Sequence, residues 1–367
     1  MRTLRIATAR GPRAIPPHPT RGPIPHVRHV TAIAHATWAG CYFERNLAEF
    51  LENFDAKEQD TEELTRVLAV SKDYIFSLRI KQFLAHLDME MLFQNVPTLC
   101  NLDMTFQEKD VGMEYERSKF GMKMHDVTSL QKALRVTETL TILSLPCNLL
   151  DDNTMRILAT GLQGNSTITA LDLSHNKIAD RGVKSIAKLL NQTSVIISLN
   201  LSDNHVHADG GKYFGRALKQ NSSLETLNLR LNRLGDEGGK MLLEGLAENA
   251  TLTHLNLSCN ALDHDSAQQL GVIVQASSSL QSLDLSCNVF SEEAGRLLRD
   301  GLQQNTTLTS LDLRLNQVRR LTTSARCTPY TTMHLHTHMR AKYAIPALPC
   351  VADLGGHRGC DRRDLQK

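Results

Sequence analysis

An asparagine recurs seven times in this chain at a fixed interval of 28 residues: Asn148, Asn176, Asn204, Asn232, Asn260, Asn288 and Asn316. Each closes the phrase L-x-x-L-x-L-x-x-N, as in Leu224, Leu227, Leu229, Asn232, with Ile168 and Ile196 standing for the first Leu in two copies. Two residues after each Asn another apolar side chain follows: Leu150, Ile178, Val206, Leu234, Leu262, Phe290, Val318. Self-similarity at such a period marks a repeat architecture in which each copy is one supersecondary unit.

The phrase dictates its own local structure. Leu at alternate positions, such as Leu227 and Leu229, puts both side chains on one face of a short strand. Ten and fourteen residues after the Asn come apolar columns at the i, i+4 spacing of a helix, beginning Leu158, Ile186, Phe214 and Leu162, Leu190, Leu218. Each repeat therefore reads strand, turn, helix, turn. Stacked copies are expected to form an α/β leucine-rich-repeat solenoid of the ribonuclease-inhibitor-like, 28-residue horseshoe class, with a parallel sheet inside and helices outside. One repeat cannot bury its own apolar face, so the array folds through its neighbour contacts. The Asn column is expected to be structural. After each strand the chain turns while buried, and an amide side chain brings both an acceptor and donors to backbone groups left without ladder partners.

The pattern decays at both ends. Upstream, Ile75, Leu78, Ile80 and then Leu99, Leu102, Met104 repeat the strand spacing in degenerate form. The second lies 41 residues before the Leu143 strand, which places an insertion around Glu108–Met122. Residues 44–74, with Phe43, Leu47, Phe50, Leu51 and Phe54 at helical spacing, are expected to be helices covering that end. After Val318 the pattern stops. The division that follows is residues 1–43, a disordered basic leader; 44–135, a helical cap with two degenerate repeats and the insertion; 136–318, the array; and 319–367, a disordered basic tail that reads as a variant C-terminus. On this reading the strand at Leu311–Val318 is the last, with an uncovered edge.

Net charge is +2, but its distribution matters more. Residues 1–43 hold six Arg and no acid, and residues 317–367 hold nine Lys/Arg against three Asp. The body between them has 26 basic and 36 acidic side chains. An acidic body argues against nucleic acid as a partner. No apolar run reaches the ~18 residues of a membrane span, so no membrane partner is expected. The eight Cys lack a framework spacing, which favours free thiols in a reducing compartment.

Several motifs tempt other readings. Gly210–Lys212 and Gly238–Lys240 suggest phosphate loops, but Tyr213 and Met241 follow where a hydroxyl is needed, so they read as small residues opening a helix. N-x-[ST] triplets at Asn165, Asn191, Asn221, Asn249 and Asn305 fall at helix-to-strand turns and suit turn chemistry rather than glycosylation. Cys259 and Cys287 share a repeat column and should face each other across adjacent strands. Cys327, Cys350, Cys360 and the alternating His of the tail match no standard zinc spacing. No catalytic constellation, metal site or cofactor site stands out, and none is expected.

What the sheet face does carry is a polar row: Asp172, Asn200, Asn228, Asn256, Asp284 and Asp312, each between two buried Leu. Beside it run Ser174, Ser202, Arg230, Ser258, Ser286 and Arg314. Solenoids commonly bind along their extended concave surface. This row, with Arg230 and Arg314, is the candidate protein-binding face.

The run LTILSLPCNLLDDNTMRILATGLQGNSTITALDLSHNKIADRGVKSIAKLL and the stretch DYIFSLRIKQFLAHLDMEMLFQNVPTLCNLDMTF resemble the t-complex-associated testis-expressed leucine-rich-repeat family of dynein regulatory complex proteins over roughly residues 41–317. The resemblance implies a non-catalytic scaffold in the nexin link of the ciliary or sperm-flagellar axoneme, with other complex subunits on axonemal microtubules as partners. The alternative is an activator of a Ran-type GTPase. Such activators share the 28-residue repeat but usually carry an acidic segment after it, whereas this tail is basic.

Overall fold

The computed structural model describes residues 40–53, 58–81, 87–106, 120–318 and 332–334. The leader to residue 39, residues 107–119 of the insertion, and the tail apart from residues 332–334 lie outside them.

Helices α1 (residues 40–52) and α2 (Glu58–Ser71) precede β1 (Ser77–Ile80), α3 (Met89–Asn95) and β2 (Asn101–Met104), so both degenerate copies supply strands. Helix α4 (Met124–Val136) leads into the regular array. There, β3 (Ile142–Ser144), α5 (Asp152–Leu162), β4 (Ala170–Asp172), α6 (Asp180–Gln192), β5 (Ser198–Asn200) and α7 (Ala208–Leu218) alternate. They continue as β6 (Thr226–Asn228), α8 (Gly235–Leu246), β7 (His254–Asn256), α9 (His264–Ala276), β8 (Ser282–Asp284), α10 (Glu292–Leu302) and β9 (Ser310–Asp312). A tenth strand, β10 (Thr332–His334), pairs parallel with β9, Met333 opposite Leu311. The strand expected to end the sheet therefore has a neighbour, supplied by a segment that lacks the repeat phrase.

All ten strands form one parallel sheet in sequence order. Register is fixed by the middle Leu of each strand: Leu102, Leu143, Leu171, Leu199, Leu227, Leu255, Leu283 and Leu311 stand opposite one another in succession. A slip by one residue would turn this Leu row out to solvent. Every one of them is at most 2 % exposed, and they pack on the helix columns Leu158, Ile186, Phe214, Leu242, Leu270 and Leu298 in one continuous core.

The sheet's first edge is covered from α1. Glu44 accepts the amides of Phe76 (3.1 Å) and Ser77 (2.7 Å), and Glu52 accepts that of Lys81 (3.3 Å). Carboxylates thus occupy donors that a second sheet could otherwise use. The insertion leaves and rejoins the fold at one point: the Gly121 amide donates to the Phe106 carbonyl at 2.7 Å. Gly121 takes a φ of +75°, and a side chain there would overlap the Asn148 carbonyl, so the return needs glycine.

Helix starts show a device that crosses repeats. Helices α6, α7 and α9 lack a side-chain cap of their own. The cap comes instead from an Asp four residues after the ladder Asn of the preceding repeat. Asp152 Oδ1 accepts from Ala179 and Gly182 N–H (both 2.8 Å), and Asp180 Oδ1 from His207 (2.8 Å) and Gly210 (3.0 Å). Asp236 takes the amides of Asp263, Asp265 and Ser266. The orphan donors of one helix are thereby satisfied by its neighbour.

Candidate interaction surface

The residues singled out from sequence separate into two groups of different chemistry. The ladder asparagines lie inside. Asn176 donates Nδ2 to the carbonyls of Leu145 (2.9 Å), Leu173 (2.9 Å) and Ser174 (3.0 Å), and its Oδ1 accepts from the amides of Asn148 (2.9 Å) and Leu150 (3.0 Å). The same pattern links Asn204 to Leu173, Asn232 to Leu201, Asn260 to Leu229, Asn288 to Leu257 and Asn316 to Leu285, each reaching back 31 residues. Asn148 opens the series by binding the Met104 carbonyl (2.8 Å) and the Phe106 amide (2.7 Å) of the last degenerate copy. From Asn148 to Asn288 these side chains are buried, while Asn316 is half-buried.

The residue before each ladder Asn adopts the left-handed conformation, from Cys147 (φ 57°) and His175 (φ 56°) to Cys287 (φ 56°) and Leu315 (φ 60°). No β-branched residue stands in this column, as that backbone region demands.

The sheet face away from the helices presents two columns. The first strand positions carry mostly small groups: Ala170, Ser198, Thr226, His254, Ser282 and Ser310. The third carry Asp172, Asn200, Asn228, Asn256, Asp284 and Asp312, all half-buried. These last are not free ligands. Each accepts through Oδ1 the amide two residues on: Ser174 (2.9 Å), Ser202 (3.1 Å), Arg230 (3.0 Å), Ser258 (2.9 Å), Ser286 (3.0 Å) and Arg314 (2.9 Å). Asn200 and Asn256 also donate across to Asp172 and Asp284, both at 3.1 Å. The row turns the chain out of each strand as well as facing solvent.

Two parts of the expected face change accordingly. Ser174, Ser202 and Ser258 are buried and offer a partner nothing. Arg314 folds onto Asp312 through Nε and Nη2, a pair that raises its pKa, so it is not a free arginine. Arg230 is exposed. Cys259 and Cys287 are neighbours yet both free, and burial, followed by the adjoining Cys287 thiol, pushes Cys259 up to about 11. A thiol so raised is a poor nucleophile near neutrality. What remains open is a shallow trough of about 360 Å³ lined by Thr226, Asn228, His254, Asn256, Ser282, Asp284, Ser310 and Asp312. Hydroxyls and carboxylates suit a polar protein surface. Among the described residues no group of three or more His, Cys, Asp or Glu could hold a metal ion, and no helix is long and apolar enough to cross a membrane.

A second asparagine column, read from the sequence only as turn chemistry, proves equally structural. At the helix-to-strand turn, Asn165, Asn221, Asn249 and Asn305 donate to the carbonyls of Leu134 (3.1 Å), Leu190 (2.9 Å), Leu218 (2.8 Å) and Val274 (2.5 Å). Each accepts the amides two and three residues on, as Asn221 does from Ser223 and Leu224. The signal was present: successive members of this set lie 28 or 56 residues apart.

Ladder, register and helix columns define a leucine-rich-repeat solenoid. The leucine-rich-repeat family pattern matches residues 164–187, 195–215, 220–243, 248–271, 276–298 and 304–319. Beyond the class, the chain is similar to dynein regulatory complex subunit 5: 44% identical to the Chlamydomonas reinhardtii protein over 122 residues, which is 33% of this chain and 31% of that one. It is 32% identical to the Homo sapiens protein of the same name over 170 residues, 39% of this chain and 33% of that one. The chain thus spans about a third of the length of these relatives. A solved structure of leiomodin-1 actin-binding site 2 overlaps 37% of this chain and 79% of its own at 24% identity and a TM-score of 0.32, which is too slight to bear on function.

Proposed function

We propose that this chain is a non-catalytic interaction scaffold of the dynein regulatory complex, acting in the nexin link of the ciliary or flagellar axoneme, and that it docks other subunits along the open face of its sheet. The observation that carries this reading is the 44% identity to the Chlamydomonas reinhardtii subunit. The open sheet face adds support, being a shallow polar trough between satisfied Asx groups, suited to protein contact.

Because Asp284 and Asp312 hold backbone amides, reversing their charge would disturb the turns as well as any contact. Ser282 and Ser310 sit beside them in the trough and lend themselves better to a test. Tagged chain expressed in ciliated cells should co-precipitate other regulatory-complex subunits, and Ser282→Arg with Ser310→Arg should remove them while the melting temperature holds. Retention of those subunits by the double variant would move the docking surface off the sheet. Absence of regulatory-complex subunits from the native precipitate would remove the axonemal assignment itself.

A further inference from the structure

Immediately after each ladder Asn, the strand-to-helix turn displays one side chain per repeat, and backbone bonds set these on successive rungs. The Lys177 amide donates to the Leu150 carbonyl (2.8 Å), that of His205 to Ile178 (2.9 Å) and that of Arg233 to Val206 (2.8 Å). Three consecutive rungs thus carry basic side chains, bounded by Leu149 on one side and Ala261 on the other. Lys177 and Arg233 flank His205 with like charge, which disfavours a third cation between them. The nearby carboxylates are engaged elsewhere. Asp203 pairs with His175 Nδ1 at 2.8 Å, and Asp180 holds the His207 and Gly210 amides with His207 Nδ1 at 3.9 Å. Among the described residues no carboxylate forms an ion pair with Lys177 or Arg233. The resulting field acts on His205, which burial, then Arg233, His207 and Lys177, hold below its ordinary pKa against the opposing pull of Asp203.

We propose that the Lys177–His205–Arg233 edge is a docking site for a short acidic peptide segment of a protein partner, separate from the sheet face. Length and class follow from charge. The basic run covers three repeats and no more, Lys177 and Arg233 with His205 between them, inside a body of 36 acidic against 26 basic side chains. A long polyanion such as a nucleic acid, or an extended anionic membrane, meets repulsion past the run, whereas a few successive carboxylates fit within it. Such a segment would supply the counter-charge the fold withholds.

The test compares the full chain with its Lys177→Glu/Arg233→Glu variant, reading anisotropy of a fluorescein-labelled octaglutamate peptide at low salt. The basic termini are common to both chains, so the difference reports on this edge. Peptide affinity should fall at least about tenfold in the variant, with melting temperature unchanged or raised, and oligothymidylate and phosphatidylserine vesicles should bind both chains alike. Equal peptide affinity for the two chains would overturn the proposal. So would a loss of oligonucleotide or vesicle binding as large as that of the peptide, which would make the edge a general anion patch. A lowered melting temperature would show the cations serve the fold. An anion at this edge also favours the protonated His205, whose pKa is held below the ordinary histidine value, so native affinity should rise as pH falls below about 6.5. That rise should flatten in His205→Gln, where Arg233, His207, Lys177 and Asp203 still surround the position. An undiminished rise would place the peptide elsewhere.

Discussion

Replacing Thr193 with Asn should stabilise this protein, because Thr193 interrupts the second asparagine column. At the equivalent turn Asn165, Asn221, Asn249 and Asn305 each bind a carbonyl of the preceding repeat and two amides of their own turn. Ser277 manages the two local amides, of Ser279 (3.3 Å) and Leu280 (3.1 Å). Thr193 manages neither: its Oγ1 is buried with no hydrogen-bond partner. By the column's register an Asn here would reach the Leu162 carbonyl and accept from Val195 and Ile196. A buried, unsatisfied hydroxyl costs about 1–3 kcal/mol, and each new bond is worth about 0.5–1.5 kcal/mol net. Ordering the amide returns part of this. A net gain of about 1–2 kcal/mol corresponds to a rise of roughly 3–6 °C for an array of this size. Thr193→Val, which removes the hydroxyl at similar volume, should recover the burial part alone. Thermal melts together with urea midpoints at constant m would rank Asn above Val above the native chain. If Asn is no more stable than Val, the turn column is not what holds these repeats together.

The first ladder makes the converse prediction. Asn232→Ala should cost about 1–3 kcal/mol, whereas Glu225→Ala, at the solvent-facing position before β6, should change stability by less than ~0.5 kcal/mol; coincident melts would discount the ladder. Gly245→Ala should destabilise by about 1–3 kcal/mol, because a methyl there overlaps the Gly215 carbonyl where α7 and α8 meet backbone to backbone, and a neutral result in urea would mean the two helices separate freely. Burial pushes Asp236 up, but the hydroxyl and amide of Ser266 with the amides of Asp263 and Asp265 outweigh it and hold the carboxyl below its ordinary value. The stability this contributes is present above the ordinary carboxylate pKa and is lost as pH falls through the depressed one, so the native chain should lose more stability than Asp236→Asn on acidification into that range; parallel losses in urea midpoint would refute the cap. Finally, the protein should not accelerate GTP hydrolysis by a Ran-type GTPase, and a stimulation abolished in Arg230→Ala would favour the activator reading over the scaffold.

Strand, helix and ladder were legible because each is a column of constant chemistry at a constant interval. Leu227 and Asn232 recur unchanged in every copy of the array, the Leu242 column stays apolar through Ile186 and Phe214, and burial leaves these positions few alternatives. The caps were harder. Asp152, Asp180 and Asp236 look like ordinary acids in a first helical turn, and nothing local shows that their partners lie 27 and 30 residues ahead. The sheet face misled for a related reason. Alternation along a strand assigns Ser174 and Arg314 to the same side, but Ser174 is covered by the turn its own amide helps form, and Arg314 is drawn onto Asp312. Strand β10 lay beyond the reach of the repeat pattern, since Thr332–His334 carries no Leu phrase and joins the sheet through backbone pairing.

Where the repeats depart from their consensus, the departures compensate one another. Ala208 stands in the column that elsewhere holds the capping Asp, and α8, the helix it would have served, starts without a side-chain cap, behind Leu234 in helical conformation and Gly235 at φ +63°. With no carboxylate between them, α7 and α8 approach more closely: a side chain at Gly238 would strike the Ala208 backbone, and one at Gly211 or Gly215 would strike the backbone of α8. At α8 the missing cap and the run of glycines coincide. His264 likewise cannot serve α10, and there the helix supplies its own cap, Ser291 accepting from Ala294 at 3.2 Å. The orphan amides at helix starts are met in different ways: by a neighbour's carboxylate in α6, α7 and α9, by its own Asp151 in α5, and by its own Ser291 hydroxyl in α10. Hence the 28-residue period survives in the Leu and Asn columns while the helix starts vary around it.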